Sequence, residues 1–277
     1  MNVGVAAILG IVQGLTEFLP VSSSGHLVLA RHLLGVGTPQ ILFDIVVHLG
    51  TLMAVLVALW PEVVGAARGV AVWPRLLGRV DLEPAREQEA RLAGWLLLGT
   101  LPAALVGLVA ADRVEALFGS VRGVGVALLA TAAILVVAER RVGQGAGARA
   151  SDLFQVGAWR AVAVGVAQAA AVIPGLSRSG STIAAGMLAG VERDSAARFS
   201  FLLAIPTIAS AGVLGALKAA SGEFAWPGGA ALGVGFVAAG ISGYAAIRVL
   251  FATLGRGSLR WFAAYAALVG TWAILGA

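Results

Sequence analysis

Windows of about 20 predominantly apolar residues constrain this chain more than any other feature of its sequence. Six such windows occur, at residues 41–60, 92–111, 121–138, 199–218, 228–251 and 259–276. Each is long enough to cross a hydrocarbon core of about 30 Å as an α-helix. Because every backbone polar group inside lipid needs a partner, a helix is the simplest structure for such a run. The sequence therefore predicts an all-α integral membrane protein with six transmembrane helices.

The composition agrees with a single polytopic membrane domain over residues 1–277. Hydrophobic residues make up 59% of the chain, charged residues 12%, and the mean hydropathy is +0.94, whereas soluble domains are about 25% charged. The net charge of +5 lies mostly in loops, which indicates contact with anionic membrane lipids rather than nucleic acid. The absence of cysteine excludes disulfides and cysteine-ligated metals.

Two further apolar regions, residues 3–34 and 161–190, are interrupted at their centres. Pro20 and the run 22–25 break the first, and Pro174 with the run 175–180 breaks the second. Proline removes a backbone donor and a Gly/Ser run disfavours helix, so each half is too short to cross the membrane. We expect two re-entrant helical hairpins whose broken tips are surrounded by protein or by a water-filled cavity.

Arginines are concentrated in four connecting segments, residues 61–91, 139–160, 191–198 and 252–260. With six crossings and two hairpins that do not cross, all four segments fall on the same side. The positive-inside rule makes that side cytoplasmic. Both termini then face outward, the first hairpin enters from outside, and the second enters from inside.

An internal repeat supports this topology. At an offset of 155 residues, matching residues occur in the two broken regions: Gly10, Gln13, Ser22, Ser24, Gly25 and Gly35 match Gly165, Gln168, Ser177, Ser179, Gly180 and Gly190. Three crossings separate the hairpins, so the halves form an inverted-topology repeat whose tips meet near the membrane midplane. We place the halves at about 1–142 and 151–277, with a linker at 143–150.

The first tip carries an unusual set of polar groups for a membrane segment. They lie within QGLTEFLPVSSSGH and are Gln13, Glu17, Ser22, Ser23, Ser24 and His26, with Gly25 between the last two. Gln13 and Glu17 share a helix face, and Ser22 or Ser23 is expected near the N-cap of the second half-helix. A carboxylate at this depth costs several kcal/mol and is a functional-site hypothesis by default.

The second tip, PGLSRSGST, offers hydroxyls and one guanidinium around another helix start. Its polar side chains are Ser177, Arg178, Ser179, Ser181 and Thr182, with Gly180 among them. Helix N-termini with free N–H groups bind anions, and a guanidinium matches the paired oxygens of a phosphate. We therefore expect the two tips to bind a substrate phosphate, through Ser22, Ser24, Gly25, Ser177, Ser179, Gly180 and Thr182. A hydroxyl beside a histidine and a glutamate adds a nucleophile and a proton acceptor. Phosphoryl transfer assisted by Mg²⁺ or Ca²⁺, with Glu17 as the best oxygen ligand, is the predicted chemistry.

A polar stripe on the first full span is open to two interpretations. Asp44, His48 and Thr51 lie at i, i+4 and i+7. They could line the cavity, or Asp44 could be a solvated cap and His48 an interhelical hydrogen-bond partner. Arg31 and His32 are expected to be anchors at the level of the lipid headgroups.

The two motifs, QGLTEFLPVSSSGH and PGLSRSGST, resemble the signatures of the bacterial undecaprenyl-diphosphatase family of the bacitracin-resistance type. The similarity of layout extends over essentially the whole chain. The resemblance implies a multi-pass protein of the bacterial cytoplasmic membrane with an outward-facing site. It would convert undecaprenyl (C55) diphosphate to the monophosphate lipid carrier for peptidoglycan synthesis. A homodimer is one assembly that the sequence allows.

The resemblance also implies roles for individual residues. Glu17, Ser23, His26 and Arg178 would be central, supported by Ser177 and Thr182. Spacing alone leaves open which serine attacks; the resemblance favours Ser23, deprotonated through His26. Gln13 stands where many members have Glu, so it is at most a neutral ligand.

Two other functions compete with this interpretation. Inverted repeats with broken helices also build secondary transporters and lipid flippases. The acid-phosphatase-like lipid phosphatases also use SGH and SR motifs, but their pattern needs a histidine where this chain has Ala184, and no Lys/Arg-Pro motif precedes SGH.

Overall fold

The structure, a computed structural model, describes residues 1–36, 40–77, 83–115, 120–143, 152–254 and 258–276, with only the backbone described at 74–77, 110–115 and 142–143. These ranges contain eleven α-helices and a short 3-10 turn, and no strand. In chain order, the helices are α1 Val3–Phe18, α2 Ser23–Leu33, α3 Ile41–Ala58, α4 Trp60–Leu77, α5 Pro84–Glu115, α6 Val121–Gly143, α7 Gly157–Ala170, α8 Arg178–Leu188, α9 Arg193–Ala220, α10 Gly229–Leu254 and α11 Arg260–Leu275. The predicted all-α architecture is confirmed for this part of the chain.

Among the described residues, five helices are long and apolar enough to cross a membrane. They are Ile41–Ala58, Pro84–Val109, Val121–Arg141, Arg193–Ala220 and Gly229–Leu254. Each overlaps one predicted window, so the multi-pass membrane character is confirmed. The sixth window forms α11, whose 16 residues give about 24 Å of helix. The exact arrangement of six crossings with two hairpins stays a prediction.

The arginine-rich segment 61–91, expected to be a loop, is largely helical. It contains α4 and the first turns of α5, and Arg68 of α4 lies 3.9 Å from Glu89 of α5. Pro61 and Pro84 both stand in a first helical turn, where proline needs no donor and is tolerated. Glu62 and Arg68 interrupt the apolar sequence of α4, so a search for long apolar windows does not detect this helix.

Both interrupted regions form a helix, a break and a second helix, as predicted. The first break covers residues 19–22 and the second covers 171–177. Ser22 has φ of 70° without being glycine, and Gly175 has φ of 90°. The four half-helices contain 16, 11, 14 and 11 residues, each shorter than the 17 or so needed to cross.

Small residues let the long half-helices approach their neighbours closely. A Cβ added at Gly10 of α1 would lie 2.5 Å from Gly235 O of α10, and one at Gly165 of α7 would lie 2.4 Å from Gly99 O of α5. Gly10 and Gly165 are repeat-matched residues, so the two halves use the same device. The largest buried cluster, which includes Phe18, Ile183 and Phe201, packs behind the two breaks and holds them in place.

Candidate active site

The two broken segments build the same helix cap twice. Ser22 is the N-cap of α2, and its Oγ accepts from Gly25 N at 3.3 Å. Ser177 is the N-cap of α8, and its Oγ accepts from Gly180 N at 3.0 Å. The predicted cap near Ser22 is therefore present, and its repeat-matched residue performs the same task. Each cap fixes the direction of a helix N-terminus, which carries a partial positive charge.

The two tips contact each other directly. Ser24 Oγ accepts from Gly175 N at 3.4 Å, and Ser179 Oγ donates to Leu19 O at 3.0 Å. A Cβ at Gly25 would lie 3.2 Å from the Cα of Gly175, so glycine is needed there for the close approach. The two tips are in contact, as expected, and their position near the membrane midplane stays a prediction.

Glu17 is the centre of the polar cluster at this junction. Its Oε1 accepts from Nη2 of Arg178, and its Oε2 accepts from Ser23 Oγ at 2.5 Å and from Gln13 Nε2 at 2.8 Å. His48 Nε2 lies 3.6 Å from the same Oε2. The carboxylate is 6% exposed, so these donors replace the water that it would otherwise bind.

Ser23 and Arg178 occupy equivalent positions in the two halves, because each is the first residue of its short helix. The Ser23 hydroxyl and the Arg178 guanidinium therefore meet on one carboxylate from opposite tips. Nη1 of Arg178 is buried and has no hydrogen-bond partner. A buried, unpaired guanidinium nitrogen is costly unless an anion completes it.

A cavity of about 1240 Å³ adjoins this cluster. Its lining includes Glu17, Ser22, Ser23, Ser24, Ser177, Arg178, Asp44 and His48, together with apolar side chains from α2, α3 and α9. Of the two interpretations of the stripe on α3, the structure favours the cavity wall for Asp44 and His48. A polar end beside an apolar wall suits an amphipathic ligand.

His26 does not join the carboxylate cluster. Its Nδ1 lies 2.7 Å from Ser22 O and its Nε2 lies 2.9 Å from the hydroxyl of Tyr265 on α11. Both ring nitrogens are thus engaged away from Ser23. The expected path for the Ser23 proton through His26 is not what this geometry provides, because Glu17 already accepts that hydroxyl.

Several predicted phosphate ligands are instead used inside the protein. Thr182 is fully buried, and its hydroxyl contacts Arg178 O at 2.7 Å and Ser200 Oγ at 2.6 Å. Ser179, as noted, bonds Leu19 O. Neither hydroxyl lines the cavity, and both position the second tip, Thr182 by bonding its own and a neighbouring helix and Ser179 by bonding the first tip.

The profile of the family described as bacitracin resistance protein BacA matches residues 6–272. A relative named undecaprenyl-diphosphatase in Halothermothrix orenii is 39% identical over 270 residues, covering 96% of this chain and 95% of the relative. Others with that name occur in Desulfosudis oleivorans, 41% identical with 95% and 94% covered, and in Thermomicrobium roseum, 39% identical with 98% and 96% covered. The chain belongs to the bacitracin resistance protein BacA family. The resemblance of the two motifs is confirmed.

Three residues of this family member were missed or misplaced by the sequence interpretation. Arg31, expected at the headgroups, is 8% exposed and pairs with Asp44 at the cavity wall. Tyr265 and Thr131 lie in predicted spans but contact the two tips. Only a three-dimensional neighbour reveals such roles, since a lone Tyr or Thr in an apolar helix carries no motif.

Metal-binding capacity rests on few groups. No cluster of three His, Cys, Asp or Glu side chains able to hold a metal occurs among the described residues. Oε1 of Gln13, however, is buried without a partner beside Glu17. One carboxylate and one amide oxygen fit an oxygen-preferring cation such as Mg²⁺ or Ca²⁺ only if the substrate's phosphates add further ligands.

Proposed function

We propose that this chain is a membrane phosphatase that removes the terminal phosphate of undecaprenyl diphosphate, releasing the lipid monophosphate and inorganic phosphate. The observation that carries the proposal is the junction of Glu17, Ser23 and Arg178 at the polar end of the cavity. Family membership and the names of the full-length relatives support it. Nothing specific to the site favours the transporter or flippase alternative.

Ser23 is the proposed nucleophile and Glu17 the group that takes its proton, because Ser23 Oγ already donates to Glu17 Oε2 at 2.5 Å. As the Oγ–P bond forms, the bond from the terminal phosphorus to the bridging oxygen breaks, and the lipid monophosphate leaves with that electron pair. Water then attacks the phosphoserine. The electron pair of the broken P–Oγ bond returns to Ser23 Oγ, which recovers its proton from Glu17, and both hydrogens of the water leave with the released phosphate.

Arg178 is proposed to hold the terminal phosphate. One nitrogen of its guanidinium is fixed by Glu17, which leaves Nη1 free to donate to a phosphate oxygen. The N-termini of α2 and α8 lie beside it and add favourable dipoles. These groups stabilise negative charge as it moves from the attacked phosphate to the leaving group.

A divalent cation, Mg²⁺ or Ca²⁺, is proposed to bind together with the substrate, with Glu17 and Gln13 Oε1 as its protein ligands. It would neutralise charge on the phosphate oxygens. The chelator arm of the experiment below tests this part separately.

The proposed topology has six crossings and two re-entrant hairpins in inverted halves, about 1–142 and 151–277, in the bacterial cytoplasmic membrane. The linker expected at 143–150 lies almost entirely outside the described residues. Both termini and the site would face outward. The repeated caps and the close contacts of Gly10 and Gly165 support the two halves. The cavity reaches Gly35, Val36, Glu223 and Phe224, which belong to segments that this topology places outside.

The test uses detergent-purified protein without any membrane gradient. Wild type should release phosphate from C55 diphosphate, Ser23→Ala should release little, and a chelator should suppress the wild-type rate until Mg²⁺ or Ca²⁺ is restored. No phosphate release by wild type, with gradient-dependent uptake in vesicles, would establish a transporter instead. Near wild-type turnover of Ser23→Ala would remove the serine nucleophile and leave direct attack by water.

A further inference from the structure

The helices α6 and α11 pack together, and each of them contacts one of the two tips. Two glycines face each other between these helices: a Cβ at Gly125 would lie 2.8 Å from Gly270 O, and one at Gly270 would lie 2.8 Å from Gly125 O. Backbones this close leave little freedom for one helix to shift against the other. Side chains from such a pair can therefore hold other segments at fixed positions.

The second tip is bound to α6 through Thr131. This side chain is 1% exposed. Its Oγ1 accepts from Ser177 N at 3.0 Å, while its proton can go to Ala127 O at 3.1 Å or Gly175 O at 3.4 Å. Ser177 is the N-cap of α8 and directly precedes Arg178. Thr131 therefore fixes the backbone from which the phosphate-holding guanidinium starts.

The first tip is bound to α11 through Tyr265 and His26. Because Ser22 O can only accept, Nδ1 of His26 carries a proton in this contact, and neutral Nε2 accepts from the Tyr265 hydroxyl at 2.9 Å. The two rings stack with centroids 5.5 Å apart. Ser22 has a positive φ, a costly conformation that needs support from its surroundings, and it directly precedes Ser23.

We propose that Thr131 and Tyr265 are positioning residues, each fixing the reactive residue of one tip from the α6–α11 pair. Neither lines the cavity, so both act through Ser177 or through His26 and Ser22. We call these two contacts ties: the tie of Thr131 to Ser177 and the tie of Tyr265 to His26. Each tie connects the two halves of the chain, because α6 belongs to the first half and contacts the second tip, and α11 belongs to the second half and contacts the first tip. This inference rests on the proposed function for its kinetic consequences, and deepens it.

The two ties have different kinetic consequences. Arg178 holds the phosphate both before and during reaction, so loosening the second tip should weaken binding and raise KM. Ser23 acts only as the bond to phosphorus forms. Loosening the first tip should therefore lower kcat, because small errors in the approach of a nucleophile are costly.

The experiment measures phosphate release from C55 diphosphate over a range of substrate concentrations, together with hydrogen exchange of the purified proteins in lipid nanodiscs. Thr131→Val leaves Ser177 N without a partner and should raise KM about tenfold with little change in kcat, and Thr131→Ser should restore it. Tyr265→Phe should lower kcat about tenfold with little change in KM. Exchange should quicken at residues 171–177 in the first variant and at 19–24 in the second.

Matched controls are available on α10. Tyr244→Phe removes the chain's other tyrosine hydroxyl, and Thr253→Val removes a hydroxyl that bonds only its own helix at Leu250 O; both should match wild type. Wild-type kinetics in Thr131→Val and Tyr265→Phe, or exchange that quickens at neither tip, would overturn the proposal. Wild type that releases no phosphate would instead refute the proposed function, while the exchange arm would still decide whether the ties exist.

Discussion

Replacing Glu17 with glutamine tests the centre of the site at almost constant volume. The carboxylate accepts from Ser23, Gln13 and Arg178, and an amide can neither take the Ser23 proton nor neutralise Arg178. Loss of a general base typically costs about 10²- to 10⁴-fold in rate, which corresponds to about 3 to 5 kcal/mol of activation free energy. We expect kcat of Glu17→Gln to fall by that factor.

The same substitution should also destabilise the fold. Breaking a fully buried ion pair costs about 3 to 5 kcal/mol, but the Arg178 side chain is 18% exposed and can recover some solvation from the cavity. We therefore expect the free energy of unfolding to fall by about 1 to 3 kcal/mol. Thermal unfolding in detergent separates this loss from the kinetic one, since assays run well below Tm report only the folded enzyme.

Phosphate release is measured at saturating C55 diphosphate, with Glu87→Gln as the control. Glu87 pairs with Arg91 on an exposed face of α5, where such pairs contribute at most about 1 kcal/mol. The control should keep wild-type turnover. Turnover of Glu17→Gln within about threefold of wild type would refute Glu17 as the proton acceptor, because no base loss is that mild.

Further predictions concern the nucleophile, the guanidinium and the helix contacts. Ser23→Ala should lower kcat at least about 10³-fold, and no phosphoserine should be trapped by acid quench; a trapped phosphoprotein would point to another residue. Arg178→Lys should raise KM about tenfold, since an ammonium cannot bind Glu17 and phosphate side by side, and an unchanged KM would contradict that. Gly10→Ala should lower stability by about 1 to 3 kcal/mol through the clash with Gly235 O, measured as Tm. Its control, Gly233→Ala on α10, meets open space and should be neutral or slightly stabilising; equal Tm values would refute the contact.

Membrane character and the breaks were predictable because both depend on local sequence. Pro20 and Pro174 adjoin Gly/Ser runs that disfavour helix, and apolar windows of membrane length have few structures other than a helix. Of the partners of Glu17, the one on its own helix could be predicted from the sequence and the one on the other tip could not. Sharing a helix face placed Gln13 beside it, but the approach of Arg178 depends on how two distant tips dock.

His26 illustrates the limit of motif reasoning. Its nearness to Ser23 in sequence suggested a proton relay, yet the side chain turns to Ser22 O and Tyr265 on a helix 239 residues away. His48, for which the stripe on α3 left two roles open, lies 3.6 Å from Glu17 instead. The direction of a side chain at a helix start depends on the neighbouring helix, so it cannot be predicted from the spacing of residues in the sequence.

The internal repeat explains how one site could combine the proposed nucleophile with the proposed phosphate-holding residue. The caps Ser22 and Ser177 are alike, yet the residue after each differs: Ser23 on one tip and Arg178 on the other. Glu17 differs too, because its repeat-matched residue at the same offset is Val172, which also lines the cavity. A single carboxylate can then bind both reactive residues at once. A second carboxylate at 172 would compete for Arg178 and repel the phosphates, so the chemistry requires the two halves to be equivalent in fold and different in charge.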